Sequence, residues 1–365
     1  MLVRLPPSQL RFLVICFYSY YMIKDSFLSI EAPGNHDSYR RRIIKIMFLI
    51  LLTLVFVLLA IWFWVTQPLF SGAGPNTTAV VDPARLEAHV RKLSLELTPR
   101  DEGHLENLDR TAAYLKDQFA QIGAPVFEQP YRVDGRSFRN VIAQFGPETS
   151  ERIVVGAHYD TAGPLPGADD NASGVAGLIE LGRLFAKQPP AMRVELVAFT
   201  LEEPPFFGTT GMGSAVHADS LRKQNVPVRF MISLEMIGYF SDEPNSQHFP
   251  VAILKAIYPA TGNFISVVGR LNEGLLIRRV KSAMKRATPL PVYSINAPRL
   301  VTGVDFSDQM SYWNAGYQAL MITDTAFFRN PNYHTAHDTP EKLDYKRMAM
   351  VVAGVYEAVV ELAAN

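Results

Sequence analysis

A single cysteine in 365 residues, Cys16, leaves the chain without a disulfide framework or a thiolate metal centre. Any metal it holds must rest on histidine and carboxylates. Net charge is absent too: 35 basic residues balance 35 acidic ones, so there is no electrostatic case for binding nucleic acid. No internal repeat and no low-complexity tract interrupts the sequence. The composition points toward a compact, metal-compatible domain, with one local excess of apolar residues.

That excess is MFLILLTLVFVLLAIWFWV, residues 47–65, nineteen positions without a charge. It is long enough to cross a bilayer as a helix. Arg40, Arg41, Arg42 and Lys45 precede it, while TQPLFSGAGPNTT after it has no basic residue. The positive-inside rule then places the N-terminus in the cytoplasm and the rest of the chain outside. A cleaved signal peptide is the rival reading, although the run is long for one and no small-x-small site follows Val65. Residues 12–23, FLVICFYSYYMI, are too short to span. The expected division is a cytoplasmic or misassigned segment (1–46, with Met22 or Met47 as alternative starts), a transmembrane helix (47–66), a linker (67–83) and one main domain (84–365). One span cannot form a transport path.

Beyond the linker, apolar β-branched runs alternate with helical segments. FRNVIAQF, ERIVVGAHYD, MRVELVAFTLEE, VRFMISLEM, NFISVVG and YQALMITD read as strands. HLENLDRTAAYLKDQFAQIG, ASGVAGLIELGRLFAKQ, GLLIRRVKSAMKRA and the final EKLDYKRMAMVVAGVYEAVVELAA read as helices, the first stopping at Gly123. This pattern predicts a three-layer α/β/α sandwich with a mixed, mainly parallel sheet. Three of the strands end in imidazole or acid: His158 and Asp160, Glu202 and Glu203, and Glu235. In open α/β sheets ligand sites gather at that carboxyl edge. Asp169 and Asp170 open the next loop in PGADDNASG, and His334 lies in NPNYHTAHDTPEKL. Two neighbouring zinc ions need about five or six such ligands, one of them shared.

The ordered set GAHYD, PGADDNASG, FTLEE, SLEMIGY and NYHTAHDT resembles peptidase family M28, the co-catalytic two-zinc peptidases, over residues 85–362. The resemblance implies about eight strands between helices. It implies zinc ligands at His158, Asp169 (bridging), Glu203, Glu235 and His334, with Glu235 standing where the family has Asp. Asp160 would accept the second ring N–H of His158, and Asp170 would follow the bridging residue across a cis peptide bond. Glu202 would be the general base for a water activated between the metals, and Tyr333 would help hold the developing oxyanion. The implied activity is an aminopeptidase acting on peptides, with manganese or cobalt as alternative metals.

Other stretches carry weaker expectations. Asp308 sits in a segment similar to a family SDH motif, but Gln309 replaces the histidine, which favours a structural role. His337 reads as a surface residue. Phe206, Phe207, Met212, Tyr239 and Phe240 could wall an apolar side-chain pocket, or simply pack beneath their loop. Rival functions on this scaffold are a carboxypeptidase, a single-zinc glutaminyl cyclase and a catalytically silent binding ectodomain.

Overall fold

A computed structural model describes residues 36–66 and 77–364. The expectations for Cys16, for the run 12–23 and for most of the linker lie outside the described residues. The chain divides into two units, one ending at Phe63 and the other beginning at Trp64. Helix α1 (His36–Thr66) contains the stretch Ser38–Phe63, which is long and apolar enough to cross a membrane. It begins earlier than the apolar run, because the Arg- and Ile-rich residues before Met47 are themselves compatible with a helix.

The second unit is built on one eight-stranded sheet. Its strands are β1 (Val126–Val133), β2 (Arg136–Phe145), β3 (Arg152–His158), β4 (Arg193–Phe199), β5 (Val228–Glu235), β6 (Ile265–Gly269), β7 (Val292–Asn296) and β8 (Ala319–Thr323). Their order is β1-β2-β4-β3-β5-β8-β6-β7. β4, β3, β5 and β8 run parallel to one another, as do β6 and β7, while β1–β2, β2–β4 and β6–β8 are antiparallel. The sheet is mixed with a parallel centre, as expected. The sequence runs miss the two edge strands. β1 alternates exposed and half-buried residues and contains Pro130, so it lacks the apolar run of a central strand. β7 has only five residues, directly after Pro291.

Helices α2 (Pro83–Arg91), α3 (Leu105–Gln121), α4 (Gly174–Lys187), α6 (Gly274–Ala287) and α8 (Tyr345–Ala364) contribute to one large core with one face of the sheet. Asp82 caps α2 by accepting the N–H of Ala84, with Pro83 in the first turn. Gly123, at φ +88°, takes the left-handed conformation that ends α3. The opposite face carries a smaller core, with the short helices α5 (Gly213–Lys223) and α7 (Gln309–Asn314) and long loops. Alternation along each strand assigns the two cores: Ile153 and Val155 join the first, Val154 the second.

Candidate metal centre

Because β3, β4 and β5 are parallel, their carboxyl ends share one edge of the sheet. β3 ends on His158 and β5 on Glu235, while Glu202 and Glu203 follow β4. The chain turns sharply at each delivery point. Leu201, Met236 and His334 have φ of +59°, +49° and +54°, a region that side-chain-bearing residues avoid unless surrounding structure holds them there.

The carboxylate of Asp170 lies between two imidazoles. Its Oδ1 is 3.3 Å from His158 Nε2 and its Oδ2 is 3.0 Å from His334 Nε2. Glu235 Oε2 is 3.4 Å from His158 Nε2, and Glu203 Oε1 is 3.2 Å from His334 Nε2. Glu202 Oε2 stands 3.9 Å from His158 Nε2. Among the described residues, His158–Asp170–Glu235, Asp170–Glu203–His334 and His158–Glu202–Glu203 each offer three ligand atoms within 4.8 Å of one another.

Asp169, expected to bridge, does not enter these groups. Its Oδ1 accepts Gly238 N–H at 3.0 Å and its Oδ2 accepts Asn330 Nδ2–H at 2.8 Å, so the carboxylate is turned away from both imidazoles. Successive residues of this turn point in different directions, and Asp170 faces the histidines. The cis peptide bond likewise joins Asp170 to Asn171, one position later than expected. Asp160 stands beside the other ring nitrogen of His158: its main-chain carbonyl is 3.3 Å and its carboxylate Oδ1 3.6 Å from Nδ1. The same carboxylate accepts the N–H groups of Glu202 and Glu203, at 3.1 and 3.0 Å, and so fixes the turn that presents both glutamates.

Several residues inside the recognised motifs support the site without being ligands. The Asp338 carboxylate accepts the N–H groups of Asp169 and Asp170, joining the His334 loop to the Asp170 loop. Ser307 donates to Glu235 Oε2 at 2.6 Å. Asp308 and Gln309 are fully buried, and Gln309 donates to Val304 O. His337 is exposed. Tyr333 stacks on His334 with ring centroids 3.8 Å apart.

The electrostatics favour a cation among these carboxylates. Burial pushes the carboxyl of Glu202 well above its usual range, and Glu203 and Glu235 add to the rise against the pull of His158. Burial, then Asp170, raises Glu203 to about 8. Asp170 goes the other way: burial opposes its charge, but His158 and His334 overcome that and hold it low. His158 Nε2 is buried with no hydrogen-bond partner although carboxylates surround it. An imidazole nitrogen facing crowded carboxylate oxygens suits a divalent borderline metal such as zinc.

Beside Glu235 and Tyr333 opens a cleft of about 110 Å³, walled by Phe264, Val268, Ile295, Phe306, Met321 and Phe327 among others. The five residues expected as walls do not line it. Phe206, Met212 and Phe240 are buried in packing and Tyr239 packs against the larger core, while Phe207 meets the wall residue Phe306 with ring centroids 6.0 Å apart.

Residues 140–359 match the sequence model of peptidase family M28. The chain is 45% identical over 319 residues to the uncharacterized protein YfbL of Escherichia coli (strain K12), covering 85% of this chain and 97% of that one. It is 25% identical over 298 residues to leucine aminopeptidase 1 of Metarhizium robertsii, covering 76% and 70% of the two chains. Two solved structures share the fold. A zinc aminopeptidase from Bacillus subtilis matches with a TM-score of 0.61 at 15% identity, over 78% of this chain and 96% of that one. A glutaminyl cyclase from Bacteroides thetaiotaomicron matches with a TM-score of 0.58 at 21% identity, over 77% and 99%.

Proposed function

Because the chain belongs to peptidase family M28, we propose that it is a membrane-anchored, zinc-dependent aminopeptidase with two metals per chain. The observation that carries this reading is Asp170, which offers one oxygen toward each of two histidines. His158, Asp170 and Glu235 would hold one ion, and Asp170, Glu203 and His334 the other. Zinc bound there supplies Lewis-acid polarisation of the scissile carbonyl and an acidified water.

The chain's own residues supply the rest. Glu202 takes the water's proton and returns it to the leaving amine. Its raised pKa in a buried site suits a group that must both accept and donate. Asp160 fixes Glu202 through the main chain. Tyr333, held against His334, supplies a donor for the developing oxyanion. The apolar cleft beside Glu235 receives the N-terminal side chain of the peptide. Helix α1 anchors the enzyme, with Arg40–Arg42 and Lys45 on the cytoplasmic side and the catalytic domain beyond the membrane.

The test uses the full chain in detergent, with metal counted by elemental analysis and aminoacyl-anilide hydrolysis measured beside Glu202→Gln. Two zincs, with hydrolysis lost in a variant that keeps its metal, is the expected result. One zinc with cyclisation of N-terminal glutamine would replace this reading by the cyclase. Cleavage from the C-terminus would replace it by a carboxypeptidase. Bound metal with no reaction on any peptide would make the chain a binding protein.

A further inference from the structure

Arg100 lies in the turn between α2 and α3, ahead of the span that matches the family. It is completely buried, and every hydrogen bond it donates goes to a main-chain carbonyl. Its Nε–H meets Tyr159 O at 2.8 Å, its Nη1 meets Leu93 O at 2.6 Å and Pro166 O at 3.0 Å, and its Nη2 meets Gly167 O at 2.9 Å. Three of those four acceptors belong to one loop. Tyr159 follows His158 directly, and Gly167 lies three residues before Asp170.

A planar guanidinium with donors in a fixed fork can hold the two ends of that loop at a set distance, which a lysine ammonium cannot. The chain passes it closely. Gly167 has φ +56°, and a Cβ there would come within 2.3 Å of Asp170 O and 3.0 Å of Arg100 Nη2. On the other side, Asp338 accepts the N–H groups of Asp169 and Asp170. The loop is thus gripped through its carbonyls by a cation and through its amides by an anion. The charge also acts on the site, since Asp160, Asp338 and Asp170 are the carboxylates whose fields reach Arg100.

We infer that Arg100 is a positioning residue for the metal pair, fixing the spacing of His158 and Asp170 from ahead of residues 140–359. It touches neither metal nor substrate and acts through the loop it holds. The inference rests on the two-metal reading above.

The test compares full-length wild type, Arg100→Lys and Arg100→Met in detergent. Zinc affinity is read by chelator competition, and the geometry of the site by the visible absorption of the cobalt-substituted protein. Far-UV circular dichroism reports folding. Both variants are expected to lose about 10- to 100-fold in zinc affinity, the usual cost of removing an outer support of a metal ligand, and to show altered cobalt bands. A third variant, Arg100→Gly, leaves room for free guanidinium, and millimolar guanidinium should restore part of its zinc affinity. If Arg100→Met does not accumulate as folded protein, Arg100→Lys, which keeps the charge and loses the fork, decides the matter. Folded variants with wild-type zinc affinity and unchanged cobalt bands would overturn the inference alone. A wild-type chain that takes up no metal would overturn the two-metal reading, and this inference with it.

Discussion

The two faces of the sheet are finished differently. Five helices cover one face, where Phe185, Leu178, Val352 and Ile232 are fully buried. On the other face, among the described residues, α5, α7 and loops lie over the strands, and an open cleft remains beside Glu235. The polar residues follow the same division: His158, Asp170, Glu203 and Glu235 gather at the strand ends beside the thin layer. Stability is concentrated where the layer is thick, and chemistry where the layer is incomplete. A site crowded with buried carboxylates costs folding free energy, so it depends on a face that can supply it.

The sharpest test of that division is Glu202→Gln. It removes the proposed base and leaves the five ligand residues unchanged, so hydrolysis should fall by about 10²–10⁴-fold with little change in thermal stability. A variant that unfolds instead would mean that the site edge carries stability after all. On the opposite face, Phe185→Ala deletes a fully buried ring that packs against Phe145 and Tyr356. It should cost about 3–5 kcal/mol of stability, read from chemical denaturation. The fraction that remains folded should keep the wild-type KM.

Separation of the two regions also predicts an unusual pH response. Burial, then Asp169, pushes Asp338 up to about 7, and burial does the same to Asp324. An unfolded chain titrates such groups near 3.9. Folding therefore takes up protons between those values, and the metal-free chain should lose stability as pH rises from about 4 to 7. His334 extends the loss upward. Burial opposes its charge, but Asp170 and Glu203 outweigh that and raise it to about 10, so stability falls further as pH rises from 6.5 toward 10. Zinc displaces protons from its ligands, so melting temperatures in excess zinc should rise or stay level from pH 6 to 8 while those with chelator fall. Parallel curves would show that the site edge does not govern the response.

These regions were not equally legible in the sequence. The central strands were plain because both faces of a parallel strand are buried, which gives runs such as RIVVGAH and RVELVAF. The edge strand β1 carries Glu128, Gln129 and Pro130 and gives no such run. At the site, ligand residue types could be read from motifs, but the choice between Asp169 and Asp170 could not. It depends on the turn, where Gly167 sits at φ +56° and Asp170 at φ −104°, ψ 90°, and two adjacent aspartates look alike as letters. The roles of Arg100 and Asp338 were not legible because their partners are main-chain atoms. The cleft walls were not legible because β6, β7, β8 and the loops around them supply them, far along the chain from the Glu202–Glu203 loop and its aromatics.

The smallest effect sharpens the comparison most, because it separates the cleft from the core on the same thin face. Phe306 is 43% exposed, stands in the cleft wall and touches Phe207 and Phe327 through its ring. With 43% of its surface exposed it buries only about half of what a core ring does, on the order of 1 kcal/mol, so Phe306→Ala should shift the melting temperature by only about 2–4 °C. A substrate side chain would cover the same ring, and losing that contact is worth about 1–3 kcal/mol in a hydrophobic pocket. Hydrolysis of a leucyl or phenylalanyl anilide should then fall about tenfold in kcat/KM, mostly through KM, while an alanyl anilide, too short to reach the wall, should be nearly unaffected. Equal losses on all three substrates would mean that Phe306 supports the metal centre and not the cleft. A large stability loss with no change in selectivity would make it part of the core.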